Sequence, residues 1–447
     1  MDDRSWSPIV NTIPSNPDLG NQRPGGSDVS QTETTATHIV SDTYLLDGFK
    51  WFSSATDSDV SLALARTGDP SQGSRSLSLF LIPLNPSLYP NTAADPRTQS
   101  ARNGVLIHRL KNKFGTHIVP TAELSLRGTR ARLVGETNQG VKTISSVLNI
   151  TRVHSGVVSV GYVRKALSLA TSYASVRRTG NPRTLLRDIP LHLNELAKLT
   201  VTYKALVHFV FEVVGLLGKV ECETANESER QRLRVLTPVL KAFCAEKGVQ
   251  ATIECMTALG GEGYMEENGI GRLVRDGIVE KIWEGTTTVL SLDVVKAFQT
   301  RGSVEALSQA SVPRVSGAVA DLTSALQWVE AKVTRARVVL QGELRGVDGI
   351  IASALETLVM SLRSPSALSP RPALFLLGYI ASSAAMLEHT VWSASHRSKT
   401  DHWVDVETLI RWVECGGLTA AREELTTAAA TNHEVNGRIV YGSRGKL

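Results

Sequence analysis

The sequence predicts an α+β protein of segregated domains: a small β-barrel- or sandwich-like domain, then an up-down α-helical bundle, then a helical C-terminal extension. Three observations predict it. Between residues 30 and 135 the apolar runs are short and separated by Gly, Pro or Asn, which is the texture of strands. After Gly140 the apolar period lengthens to helical spacing, over segments long enough for bundle helices. From Val304 onward a second helical texture is punctuated at residues 342–349, 364–372 and 416–417. The 447 residues, 42% hydrophobic and 20% charged, suffice for two or three packed cores and exclude disordered and collagen-like classes.

In chain order, residues 1–19 are rich in Pro, Ser, Asn and Asp without periodicity and read as a disordered leader. The β domain spans 20–135. Within it, Asp47-Gly48 lies between Tyr44-Leu45-Leu46 and Phe49-Lys50-Trp51-Phe52 and predicts a hairpin turn, since both central positions of a type I′ turn need positive φ. Further strands are expected at 61–66, 77–84, 105–110 and 122–126. The bundle spans 136–300, with helices over 141–178, 185–220 and 229–259 and with Pro182, Pro190 and Pro238 at starts or bends. The extension spans 301–447.

Charge and cysteine content narrow the class. The net charge is +5, and Arg102, Arg109, Lys111, Lys113, Arg127, Arg130 and Arg132 face only Glu123 in their stretch. Such a surface concentrates a phosphate-bearing ligand or nucleic acid, or else consists of solvated strand ends. Four cysteines are too few for a disulfide framework and lack metal-ligand spacing, which points to a reducing compartment and to no metal site. The apolar stretches 206–218, interrupted by Glu212, and 373–387 fall short of the roughly 18 residues a bilayer requires, so no membrane span is expected. No secretory signal opens the chain, and an intracellular location is expected. Gly445-Lys446-Leu447 comes near the Ser-Lys-Leu peroxisomal address, with Gly in place of Ser; cytosol, peroxisome and mitochondrion stay unresolved.

Four constellations carry candidate chemistry. In Gly25-Gly26-Ser27-Asp28 the glycines admit a planar or phosphate-bearing ligand to the backbone and Ser27 offers a hydroxyl; an ordinary turn has the same composition. Phe52-Ser53-Ser54 sets an aromatic face beside hydroxyls, as a flat cofactor would need, or places a core aromatic at a strand end. Leu259-Gly260-Gly261-Glu262-Gly263-Tyr264 presents bare backbone to a ligand or caps a helix. In Ile282-Trp283-Glu284-Gly285-Thr286-Thr287-Thr288, a Glu beside Trp and Gly in a dry cleft would be a general base for a carbon acid; a Glu near a helix N-terminus is the alternative.

Taken together and in this order, these segments resemble the acyl-CoA dehydrogenase family of flavoproteins over roughly residues 20–300. Ile282-Trp283-Glu284-Gly285-Thr286 is similar to the family's aromatic-Glu-Gly-Thr segment, preceded by the glycine-rich bend and by Arg272-Leu273-Val274-Arg275-Asp276. Lys50-Trp51-Phe52, Thr151-Arg152, Leu236-Thr237-Pro238 and the extension resemble the AidB-like branch, some of whose members are implicated in DNA binding. Only a short leader stands where the family has an N-terminal helical domain.

The resemblance implies an FAD-dependent α,β-dehydrogenation of an acyl thioester. FAD would lie between the β domain, the bundle and a neighbouring subunit of a homodimer or homotetramer. It implies Glu284 as the base that removes the α-proton. It implies Ser27, Phe52, Ser54, Arg177, Gly260, Gly261, Thr286 and Thr288 as residues around FAD, with Phe52 where the family usually has Trp, and Arg152 at the substrate. The alternatives are an AidB-like flavoprotein with a nucleic-acid-binding or protective role, and a catalytically impaired truncated paralogue. The sequence does not identify the electron acceptor.

Overall fold

The computed structural model describes residues 10–11, 29–84, 103–299 and 318–442. Seven strands form one sheet: β1 Val10–Asn11, β2 Thr35–Val40, β3 Thr43–Ser54, β4 Val60–Arg66, β5 Leu77–Pro83, β6 Val105–Leu110 and β7 Thr121–Val134. Their order is β1-β4-β2-β3-β7-β5, with β6 paired to β7 and β4 paired also to β5. Alternation along the long β3 and β7 turns Tyr44, Leu46, Leu124 and Leu126 into a core with Phe80, Ile82 and Val105. Of the expected leader, only Val10–Asn11 is described. Those two residues stand beside Leu62 and Ala63, where the sequence reading expects no element.

The hairpin expected at Asp47-Gly48 is corrected. Both residues lie inside β3, and the chain reverses instead at Ser41 and Asp42 between β2 and β3. Gly48 has φ +150°, its register against β7 shifts, and a Cβ there would sit 2.8 Å from the Thr34 Cα. Glycine is needed for a bulge and a close backbone approach, and the same residue pair serves that purpose as well as a turn.

β3 also buries Lys50 completely, with its Nζ donating to the Leu64 carbonyl at 2.8 Å, and burial pulls its pKa from 10.5 down to about 7. Between those two values the unfolded chain binds a proton that the folded chain does not. Stability therefore rises with pH across that window, by up to about 1.4 kcal/mol per pH unit for one proton. Lys50→Met should flatten this rise, read as urea midpoints at about pH 7 and about pH 9. An identical rise in the variant would show that Lys50 is not its source.

The helical part begins with α1, Gly140–Ala174, whose first turns bury Ile144 against Leu64 and Leu79. The chain accordingly divides within α1 into Met1–Thr151 and Arg152–Leu447. A two-strand ribbon, β8 Arg178–Thr179 and β9 Thr184–Leu185, leads to α2, Pro190–Glu221, which opens with Pro190 in its first turn. α3, Glu227–Thr257, starts with a capping box in which Asn226 and Glu229 satisfy each other's main-chain N–H groups. α4 Ile270–Val279 and α5 Thr287–Gln299 follow.

Beyond them come α6 Ala318–Leu340, α7 Val347–Arg363, α8 Pro370–His396, α9 Lys399–Cys415, α10 Leu418–Ala430 and α11 His433–Tyr441. The breaks before α7, α8 and α10 fall at the punctuation read in the sequence, whereas those at 397–398 and 431–432 were not read there. A sheet domain followed by helical domains is the α+β organisation expected.

Bundle and extension share one core. α8 packs against α2, α3, α5, α6, α7, α9 and α10, and buried residues from Val153 to Leu425 form a single cluster. The apolar stretches 206–218 and 373–387 lie inside helices of 32 and 27 residues, both long and apolar enough by that measure to cross a bilayer. Each helix runs beyond its apolar stretch because the flanking residues stay helical. α8 is mostly buried and serves as the core helix, while α2 turns Leu206, Phe209, Val210 and Val213 into the same core.

Candidate active site

The segment between α4 and α5 carries Glu284. After α4, the amides of Ile282 and Trp283 both bond the Val279 carbonyl, and the chain then enters the left-handed region at two successive residues, Glu284 (φ 57°) and Gly285 (φ 102°). Such a conformation costs a non-glycine residue about 1 kcal/mol and persists only where its surroundings hold it. Here Arg152 of α1 donates from Nε to the Glu284 carbonyl at 3.2 Å, and Lys241 of α3 donates from Nζ to the Gly285 carbonyl at 2.7 Å. Glu284 stands three residues before Thr287, the first residue of α5, so it lies near a helix N-terminus as well as on the turn.

Arg152 also bonds Asp293 at 3.0 Å, and Arg234 bonds the other oxygen of that carboxylate at 2.6 Å. Burial works to raise the Asp293 pKa, but the Arg234 and Arg152 contacts outweigh it and hold the carboxyl below its usual range. The Arg152 guanidinium is thus engaged by the Glu284 carbonyl and by Asp293, in the second turn of α5.

Two ionisable residues that sequence reasoning missed complete the site. Lys241 is fully buried. Burial lowers its pKa to about 8, Arg152 adds to the lowering, and the Glu280 and Glu284 carboxylates oppose it. Glu280, also buried, accepts from Ser155 Oγ at 2.5 Å and from the Trp283 indole at 2.6 Å. Burial raises its pKa, over the opposing effect of those two bonds and of Lys241. A second, buried carboxylate thus stands four residues upstream of Glu284, which is itself half-buried. The signal that could have found these two residues was a charge beside apolar neighbours: Lys241 between Val239-Leu240 and Ala242-Phe243, and Glu280 directly after Ile278-Val279.

The remaining expected residues are distributed over both units. On the sheet unit, Phe52 points outward, 48% exposed, and Ser54 Oγ pairs with Thr121 Oγ1 at 2.9 Å across β3 and β7. Ser27 and its glycines lie outside the described residues. On the helical unit, Arg177 is exposed beyond α1, the Thr286 carbonyl accepts from the Leu290 amide as α5 begins, and Thr288 is exposed in the first turn of α5. In the bend after α3, Gly260 has φ +61°, and a Cβ at Gly260 or Gly261 would meet nothing within 4 Å, so this main chain is open. The packing demand falls on Gly263, where a side chain would overlap the Met256 carbonyl.

The basic stretch is partly spent inside the fold. Arg109 and Lys111 both pair with Glu123, Arg132 pairs with Asp42, and Lys113 donates to the Thr116 and Val119 carbonyls.

A sheet unit, a helical bundle and an acid-bearing turn ahead of the α5 helix define the middle and C-terminal parts of one enzyme class. The chain belongs to the acyl-CoA dehydrogenase family: residues 22–129 match its middle domain and residues 138–298 its C-terminal domain. It is 36% identical over 374 residues to acyl-CoA dehydrogenase family member 11 of Caenorhabditis elegans, covering 82% of this chain and 57% of that protein. It is 30% identical over 293 residues to AidB of Escherichia coli, covering 65% of this chain and 50% of that one.

The chain thus spans about half the length of these curated relatives. The crystal structure of Caenorhabditis elegans ACDH-11 in complex with C11-CoA superposes with a TM-score of 0.78 at 33% identity, covering 95% of this chain and 68% of that one. Butyryl-CoA dehydrogenase from Megasphaera elsdenii shares the fold, with a TM-score of 0.53 at 22% identity, covering 65% of this chain and 67% of that one. Acyl-CoA dehydrogenases generally depend on FAD.

Proposed function

We propose that the chain is an FAD-dependent acyl-CoA dehydrogenase-type oxidoreductase in which Glu284 removes the α-proton of an acyl thioester. The observation that carries this reading is the Glu284-Gly285 turn, left-handed at a non-glycine residue and held at both carbonyls. A thioester carbonyl acidifies its α-carbon, and a carboxylate fixed on a turn accepts that proton without having to reorient. An acyl-CoA substrate is supported by the relative solved with C11-CoA.

FAD, when bound, supplies the acceptor for the β-hydride, so that loss of proton and hydride leaves the α,β-unsaturated thioester. Each unit by itself carries groups that suit such a cofactor: the sheet unit the exposed Phe52 ring and the Ser54 hydroxyl, the helical unit the exposed Arg177 guanidinium and the open main chain at Gly260 and Gly261. Thr286 and Thr288 join those of the helical unit. Assembly as a homodimer or homotetramer is part of the same reading, supported by the exposed Leu191, Leu193 and Phe211 of α2. Closure of the sheet as a barrel is supported by the β4–β5 pairing and by the Thr35↔Arg66 pair between β2 and β4.

The testing experiment is a visible absorption spectrum of the purified protein, followed by anaerobic titration with acyl-CoA. Flavin bands that bleach on titration are expected. A protein that cannot be loaded with FAD, or whose flavin no acyl-CoA reduces, would overturn the reading.

A further inference from the structure

Proton removal at a defined carbon needs the Glu284 carboxylate held in one place, yet its main chain occupies a region that residues other than glycine rarely visit. Something must over-determine the turn. Trp283 and Gly285, the residues on either side of Glu284, are each held by a buried ionisable group: Glu280 accepts from the Trp283 indole, and Lys241 donates to the Gly285 carbonyl. Arg152 holds the carbonyl of Glu284 itself.

Lys241 is the least economical of the three. It lies among the buried Val239, Leu240, Ala242 and Phe243 of α3, where an ammonium is costly relative to an apolar side chain of similar length. Among the described residues its hydrogen bond goes to Gly285, and the charged groups that act on it are Glu280 at the end of α4, Glu284 on the turn and Arg152 from α1. A buried charge aimed at a strained carbonyl is explained by that carbonyl better than by packing.

We propose that Lys241 is a positioning residue of the active site, whose ammonium, bonded to the Gly285 carbonyl, fixes the left-handed turn that aims Glu284. This rests on the reading of Glu284 as the base. Lys241→Met keeps the volume and removes the donor. Lys241→Arg keeps a charged donor. Lys241→Gln, polar but one bond shorter, repeats the test if the methionine variant does not fold.

Hydrogen exchange by mass spectrometry on the full FAD-loaded chain should show faster exchange at residues 283–287 in Lys241→Met, with the sheet unit and α6 to α10 unchanged. The rate of reduction by acyl-CoA should fall about 100-fold, with KM within about twofold. Lys241→Arg should recover protection and most of the rate. Wild-type protection of the turn in the methionine or glutamine variant would overturn the proposal, and so would an arginine variant no better than methionine. If no acyl-CoA reduces the wild-type protein, the functional reading fails, while the exchange data still decide whether Lys241 holds the turn.

Discussion

Glu284→Gln is expected to bind FAD as the wild type does and to lose reduction by acyl-CoA by about 1,000-fold or more. Glutamine keeps the size and polarity of the side chain and leaves the main-chain contacts of Arg152 and Lys241 available, so the turn should persist. What disappears is a group able to take a proton. Two carboxylates stand close in sequence, and the experiment separates them. Glu280→Gln still offers an oxygen to Ser155 and to the Trp283 indole, and should lose no more than about tenfold, through loosening of the turn. Stopped-flow bleaching of both variants is the measurement. Reduction that persists in Glu284→Gln, or that vanishes only in Glu280→Gln, would move the base away from Glu284.

The second large effect concerns the shared helical core. Phe243 of α3 meets Tyr379 of α8 edge to face with ring centroids 4.9 Å apart, Trp412 of α9 at 6.4 Å and Phe209 of α2 at 6.2 Å. On α8 its ring lies where Gly378 has no room for a side chain. Phe243→Ala removes the ring that joins the bundle helices to the extension and should cost about 3–5 kcal/mol. Because one core runs through α2, α3, α8 and α9, the loss should shift a single cooperative transition, seen alike by tryptophan fluorescence and by helical circular dichroism. If the extension were a separate folding unit, the two signals would separate, with only one moving.

The hairpin signal at Asp47-Gly48 shows how a correct local reading can attach to the wrong structure. Positive φ at glycine was legible, but a turn and a bulge in a continuous strand use it equally, and only the pairing of β3 with β7 distinguishes them. Helix ends were legible because their signals are local. Pro190 starts α2 as a ring with its φ already set, and Gly346 and Gly417 occupy left-handed positions that cap the helices they precede. Glu284 was singled out by the likeness of its aromatic-acid-glycine-threonine run to the family's, a likeness that also needs only adjacent residues.

The sequence by itself determined the order of sheet and helices and the approximate ends of α1, α2 and α3, since these depend on neighbours within a few residues. Tertiary structure alone decided which charges are buried. Lys241, Glu280 and Arg152 come from α3, the end of α4 and α1, and their local context does not say which partners meet them. It likewise decided that the extension shares its core with the bundle. Burial is set by what packs from distant parts of the chain, and that same packing supplies the partners that make a buried charge tolerable.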